Sequence, residues 1–230
     1  MLMNIKKILR SFGYDIRRYH SLYDTVLKHR EIQTVLDIGA NDGHWSAEIR
    51  TLLPHAHIHA FEPLKDCFER ANRRFASDPH FKSFNIALGD SDGYTEIERS
   101  SFHPSSSLRA MAKLHKELYP KSAGVTREKI RVRRLDAVAT ECVLAPDILI
   151  KMDVQGFEDK VIEGGRETFK KAAIVIAEVA FVRLYENQPL FGDIHNLMRG
   201  LGFAYHGNCA EHFSSKTGER IYEDAVFVRL

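Results

Sequence analysis

Short apolar runs alternate with amphipathic stretches along this chain, and that alternation predicts strands interleaved with helices. Thr34 to Ile38 reads as a first strand. The next stretch carries Trp45, Ile49, Leu52 and Leu53 on one helical face, and Pro54 ends it. Ile58 to Glu62 reads as a second strand, followed by a helix with Leu64, Cys67, Phe68, Ala71 and Phe75 on one stripe. Phe81 to Leu88 reads as one third strand, Tyr94 to Arg99 as a short extra strand, and Ile130 to Arg134 as a strand on the far side or edge of the sheet. Asp147 to Asp153 is a strongly apolar strand. Gly156 then leads into a helix carrying Phe157, Val161 and Ile162, which Gly164-Gly165 should halt. Ala173 to Val179 is a further buried strand, interrupted by Glu178. Leu190, Ile194, Leu197, Met198 and Leu201 form an amphipathic helix that Gly202 can cap. Phe203 to His206 and Ala225 to Leu230 should close the sheet as an antiparallel hairpin. The class is α/β, a doubly wound sheet with helices between its strands.

Two segments depart from this rhythm. Ser100 to Pro120 is a polar, serine-rich insertion with a short helix expected from Leu108 to Leu118, and such an insertion is either a substrate lid or a solvated loop. Residues 1–30 form a basic extension ahead of a domain spanning 31–230. Lys6, Lys7, Arg10, Arg17 and Arg18 give the extension its charge, and Ile5, Ile8, Leu9 and Phe12 fall at helical spacing. It can dock on its own domain or touch a membrane surface peripherally.

The chemistry should sit where strands end. Val35 to Ile38 runs into Asp37, then Gly39-Ala40-Asn41-Asp42-Gly43, and a helix opens at His44-Trp45. About twenty residues later, Phe61-Glu62-Pro63 ends a second strand in an acid. A dinucleotide fingerprint needs glycine at three places, but counting from Gly39 the second and third hold Asn41 and His44. Side chains stand where a pyrophosphate would press on bare backbone, and Asp37 adds a repelling charge. A cationic ligand without phosphate suits this loop better. S-adenosylmethionine has that character, and Glu62 is placed to accept its ribose hydroxyls.

Composition narrows the alternatives. The chain has 230 residues, 44% of them hydrophobic and 28% charged, with a net charge of +2. That is one globular α/β domain with no field pointing to nucleic acid. No apolar run approaches the ~20 residues of a transmembrane helix. Cys67, Cys142 and Cys209 are widely spaced and odd in number, which reads as reduced thiols of a cytoplasmic protein.

On the other side of the switch point, Asp153 and Glu178 end or interrupt apolar strands, where a lone charge costs several kcal/mol unless paired. Methyl transfer to a hydroxyl needs positioning and a base near the attacking oxygen. Asp153 is the first candidate for that base, Glu178 the second, and His103 of the insertion the third. Lys151 also reads as an ion-pair partner of Asp153 or Glu158, and Glu158 as a helix-start acid favoured by the dipole. Asp153 and Glu178 could instead hold magnesium, although no tight acidic cluster accompanies them. His55, His57 and His59 would share one strand face, but they enter from the end away from the ligand. No metal is expected.

Asp37 through Gly43, Phe61-Glu62-Pro63, Ala87-Leu88-Gly89-Asp90, Leu135-Asp136 and Lys151-Met152-Asp153-Val154-Gln155-Gly156-Phe157-Glu158 together resemble the FkbM family of methyltransferases, as does the closing Asp224 to Arg229. The resemblance runs from residue 34 almost to the end. It implies a Rossmann-like class I methyltransferase fold, a seven-stranded mostly parallel sheet with an antiparallel last strand and helices on both faces. It implies O-methylation of a small molecule, a saccharide or secondary-metabolite hydroxyl, with S-adenosylmethionine as donor. By analogy Asp37, Gly39, Ala40, Asn41 and Gly43 line the donor pocket, Glu62 with Pro63 holds the ribose, and Ala87 and Leu88 flank adenine. The family usually carries Glu where this chain has Gln155. The competing readings are an NAD(P)-dependent oxidoreductase on a related sheet and a non-catalytic binding protein of the same fold.

Overall fold

The computed structural model describes residues 9, 11–12, 26–27, 30–214 and 216–230. Contacts divide the chain into Met1–Arg30 and Glu31–Leu230. The basic positions and two of the four apolar positions assigned to the N-terminal extension, Ile5 and Ile8, lie outside the described residues. Within it, Leu9 is half-buried and Phe12 exposed. No described helix is long and apolar enough to cross a membrane.

In the second unit, β1 (Thr34–Ile38), α1 (His44–Leu52), β2 (His57–Phe61), α2 (Lys65–Arg74) and β3 (Phe81–Phe84) come first. Then follow β4 (Ala87–Leu88), β5 (Gly93–Ser100), α3 (Lys113–Leu118), β6 (Val125–Arg133) and α4 (Leu135–Val138). Next are β7 (Ile148–Met152), α5 (Glu158–Gly164), α6 (Arg166–Phe169) and β8 (Ala172–Ala180). The unit ends with α7 (Phe191–Gly200), β9 (Phe203–Phe213) and β10 (Arg220–Arg229).

Seven strands form the main sheet in the order β3-β2-β1-β7-β8-β10-β9. β1 pairs in parallel with β2 and β7, and every residue of it is buried, as a β-branched, apolar central strand covered on both faces should be. Leu36 and Ile38 face a core shared with Val161, Ile162, Phe169, Ile194 and Met198 of α5, α6 and α7. On the opposite face the α1 hydroxyl of Ser46 bonds Asp37. Helices thus cover both faces. The final strand, β10, is the antiparallel one, inserted between β8 and β9. Gly202, at φ +87°, closes α7 with its N–H on the Arg199 carbonyl at 3.0 Å.

Four sequence expectations need correction. Phe81 to Leu88 is not one strand: the Asn85 side chain bonds the carbonyls of Glu62 and Pro63 at 3.0 and 2.8 Å and turns the chain out of the main sheet. Its second half, β4, joins β6 and β5 in a separate three-stranded sheet. β6 is therefore not on the main sheet. Its Ile130 and Val132 cover a small core with Leu64, Cys67 and Ile97, and its alternate residues Lys129 and Arg131 are exposed. In α1 only Ser46 and Ile49 are buried, and Leu52 is exposed. The helix end is held by Arg50, which bonds the carbonyls of Leu53 and Ala56 at 3.0 and 2.7 Å and Asp78 at 2.8 Å. The insertion helix covers only Lys113–Leu118, because Ala110 and Ala112 bond the backbone of Glu186 and Leu184 instead.

Helix α5 ends at Gly164, where a Cβ would overlap the backbone carbonyl of Gly89. Gly164→Ala should therefore cost about 3 kcal/mol through overpacking, read as a shifted denaturation midpoint with an unchanged slope. An unchanged midpoint would show that the two segments can part freely.

Candidate active site

The carboxyl ends of β1, β2 and β4 open into a cavity of about 460 Å³. Its loop is fixed to β2, with the N–H groups of Gly39 and Ala40 on the Phe61 carbonyl at 3.0 and 3.1 Å. Gly39 is left-handed at φ +81°, and a Cβ there would collide with the backbone carbonyl of Asp153. Its bareness serves the approach of two loops rather than the approach of a ligand. Gly39, Ala40, Asn41, Glu62, Pro63, Ala87 and Leu88 all line this one cavity. Asp37 and Gly43 are not among its lining residues. Gly43 packs against Ala71 and Phe75. Asp37 lies fully buried beneath the loop, with one carboxyl oxygen 2.6 Å from Ser46 and the other without a partner. Burial raises the Asp37 pKa, against the pull of Lys151.

Glu62 is nearly buried, and its two oxygens accept the N–H groups of Asn41 and Leu64, each at 2.8 Å. Burial pushes its pKa up to about 7, opposed by those two bonds. The Asn41 amide is thereby spent on a carboxylate and is not presented to a phosphate. The charged side chains on the wall are Asp42, Glu62, Asp153 and Lys151, beside the aromatic faces of Trp45 and Phe157. A net acidic, partly aromatic wall fits a cationic nucleoside and disfavours a diphosphate. S-adenosylmethionine meets both conditions.

A second cavity of about 610 Å³ adjoins the first, and the two share Pro104, Asp153 and Gln155. Tyr119, His115, Leu118, Tyr222 and Glu178 line it. Its roof is the serine-rich insertion, which is anchored to the domain. Ser107 donates to the Gln155 carbonyl at 2.7 Å, and one nitrogen of Arg109, Nη2, lies 2.9 Å from both carboxyl oxygens of Asp159.

Where the cavities meet, Gln155 gathers the chemistry. Its side-chain nitrogen donates to Asp153 Oδ1 at 2.7 Å and to Glu178 Oε1 at 2.9 Å. Its side-chain oxygen accepts from the Tyr185 hydroxyl at 2.7 Å. Two carboxylates on one side and a phenol on the other leave the amide one sensible orientation. Lys151 lies 3.3 Å from Asp153 Oδ2. Burial opposes the Lys151 charge, but Asp153 and Asp37 outweigh it and hold the pKa above the ordinary lysine value. Burial and then the neighbouring Asp153 raise the Glu178 pKa well above the carboxylate range. Burial likewise pushes Asp224, the cross-strand partner of Glu178, up to about 6.

Asp153 and Glu178 are therefore brought together. His103 is not part of that pair; it lines the first cavity, its Nδ1 buried without a partner, and burial lowers its pKa. Glu158 accepts the N–H groups of Val154 and Gly156 at 3.2 and 3.1 Å, a structural role at the start of α5. His59 is buried against Val143. Among the described residues, no group of three or more His, Cys, Asp or Glu is arranged to hold a metal ion. The residues that sequence reasoning did not pick out are Gln155 as a hub and Tyr185 as its anchor. Gln155 lay inside a recognised block, whereas Tyr185 falls between the expected strand and helix with no motif around it.

Comparisons with known proteins bear on the family and the fold. The family model described as the methyltransferase FkbM domain matches residues 37–205. The 2-O-methyltransferase NoeI of Sinorhizobium fredii (strain NBRC 101917 / NGR234) is 31% identical over 208 residues, 82% of each chain. In fold, the chain is similar to methyltransferase FkbM from Methylobacillus flagellatus KT, with a TM-score of 0.56 and 14% identity. That match covers 92% of this chain and 48% of the other, so this chain spans about half its length. It is also similar to a chain of a fibrillarin/Nop5p complex, at TM-score 0.50 and 14% identity, over 92% of this chain and 82% of that one. A family model matching residues 37–205, with a relative of this identity, places the chain in the FkbM family of methyltransferases.

Proposed function

We propose that the protein transfers a methyl group from S-adenosylmethionine to a hydroxyl of a small molecule, a saccharide or secondary-metabolite hydroxyl. The observation that carries this is the meeting of two cavities at Asp153 and Gln155, one acidic and nucleoside-sized, the other lined by phenols and carboxylates. The similar 2-O-methyltransferase supports oxygen as the accepting atom. The spent Asn41 amide argues against an NAD(P)-dependent oxidoreductase. The three free thiols support a cytoplasmic setting.

Bound in the first cavity, the donor supplies an electrophilic methyl group on a sulfonium that leaves as a neutral thioether. Glu62 would take the ribose hydroxyls on lone pairs not used by Asn41 and Leu64. Pro63, Ala87 and Leu88 would flank the base, and Gly39 and Ala40 would shape the loop around the amino-acid end. Asp153 lines both cavities, so it is the residue placed to receive the acceptor's hydroxyl proton as the new carbon–oxygen bond forms. Lys151 holds one of its oxygens and Gln155 the other. Glu178, reaching only the second cavity, orients the acceptor. The buried walls exclude water that would compete for the methyl group.

Incubation with isotopically labelled S-adenosylmethionine and a cell extract should give one labelled product by mass spectrometry. Oxidation of added NADH without a labelled product would sink the proposal. Asp153→Asn should lower kcat by about 10²–10⁴-fold, with donor affinity by calorimetry changed less than about threefold. An unaltered kcat would remove Asp153 from the chemistry.

Glu62→Gln, which cannot accept both backbone N–H groups, should weaken donor binding by about 10–100-fold. The same group sets a pH dependence. Its folded pKa of about 7 lies above its ordinary 4.5. The stability it contributes is therefore fully present below about pH 4.5 and is lost as pH rises to about 7. Glu158 acts in the same sense over the same window. Melting curves across this range should slope downward with pH, less steeply in Glu62→Gln. An identical slope in the variant would contradict the assignment.

A further inference from the structure

At the junction, acidic groups outnumber the cations that face them. Asp153 and Glu178 share the two N–H bonds of one amide, at 2.7 and 2.9 Å. Their accepting oxygens thus lie within about 6 Å of each other, close enough for like charges to interact. Glu158 from the start of α5 and Asp224 from β10 also face Glu178, as do the phenols Tyr119, Tyr185 and Tyr222. Asp37 faces Lys151 and Asp153 from β1. Against these stands Lys151, 3.3 Å from Asp153. Lys121 sits on the exposed rim of the second cavity, and burial lowers the pKa of His115 on the same wall.

We infer that Asp153 and Glu178, yoked by Gln155, hold one proton between them in the donor-free protein and release it when the sulfonium donor enters the adjoining cavity. The inference rests on the donor reading proposed above. Two carboxylates held by one neutral amide and one lysine form an unbalanced site, which a proton balances as well as a cation does. Burial and the neighbouring Asp153 raise the Glu178 pKa, which is the direction that favours a shared proton. A positive charge entering beside the pair lowers that pKa, so the proton leaves and donor affinity rises with pH. Donor binding thereby leaves the pair free to take up the acceptor's proton. In the transfer itself the acceptor's O–H bond breaks, the carbon–oxygen bond forms, and the electron pair of the carbon–sulfur bond stays on sulfur. The hydroxyl proton passes to the pair. With a neutral thioether alongside, the pair keeps that proton until the next donor arrives. Gln155 is a positioning residue here, and the Tyr185 hydroxyl on its oxygen keeps its N–H groups on the carboxylates.

Calorimetry at neutral pH in buffers of different ionisation enthalpy tests this with the intact protein, using S-adenosylmethionine and S-adenosylhomocysteine. Any titration of the amino-acid end is common to both ligands. About one proton should be released per S-adenosylmethionine bound, distinctly less with S-adenosylhomocysteine, and the difference should be lost in Glu178→Gln. Infrared difference spectra of the unaltered protein should show a protonated carboxyl band vanishing with the sulfonium ligand alone. Gln155→Met removes the N–H donors at similar size. It should move the affinity–pH curve of S-adenosylmethionine to higher pH, whereas a merely structural role would weaken binding equally at every pH. Buffer-independent heats, equal release with both ligands, or undiminished release in Glu178→Gln would overturn the inference alone. Failure of S-adenosylmethionine to bind would overturn the donor reading and the inference with it.

Discussion

The site depends on the contact between Gly39 and the backbone of Asp153. β1 and β7 are neighbours in register, and the loops leaving them touch because Gly39 has no side chain. The Asp153 N–H bonds the Ile38 carbonyl at 3.0 Å, so the loop that lines the first cavity and the acid that enters the second are one rigid unit. Any residue at position 39 with a Cβ would part them. The spacing of the two cavities is thus set by backbone packing in the core of the sheet, where interiors yield little.

Electrostatics then sorts what can enter. A loop of three left-handed residues, Gly39, Asn41 and Gly43, resembles a phosphate cradle in shape. Its Asn41 N–H is spent on Glu62, and the acids around it outnumber Lys151. Shape alone would admit a diphosphate; charge and hydrogen-bond accounting turn it away. The same accounting explains why Glu158 and Glu62, both with pKa values near 7, differ in role. Glu158 faces the start of a helix and is fully occupied there, whereas Glu62 stands on a cavity wall.

The central strands were legible because β1, β7 and β8 are strongly apolar runs with an acid in or just after their last residues, and such runs have few alternative placements. The pairing of Asp153 with Glu178 also followed from strand-end position. What was not legible depended on side chains acting over distance. Asn85 folds back on the Glu62 and Pro63 carbonyls and splits a predicted strand, an event no local periodicity records. Arg50 replaces an apolar helix end with carbonyl contacts, so Leu52 can stay exposed. Asp37 and Gly43 carry the sequence signature of a ligand loop yet support it from beneath and behind. Tyr185 reaches Gln155 across 30 positions of chain, with nothing in its neighbours to announce it.

The roof over the second cavity is the connection between β5 and β6, two strands of the smaller sheet that never enters the main one. Changes in its length or composition therefore leave the register of β1, β2 and β7 untouched. The connection borders both cavities, which share Pro104, so its side chains can reshape the space above the sheet while the strands that carry Gly39, Glu62 and Asp153 keep their places.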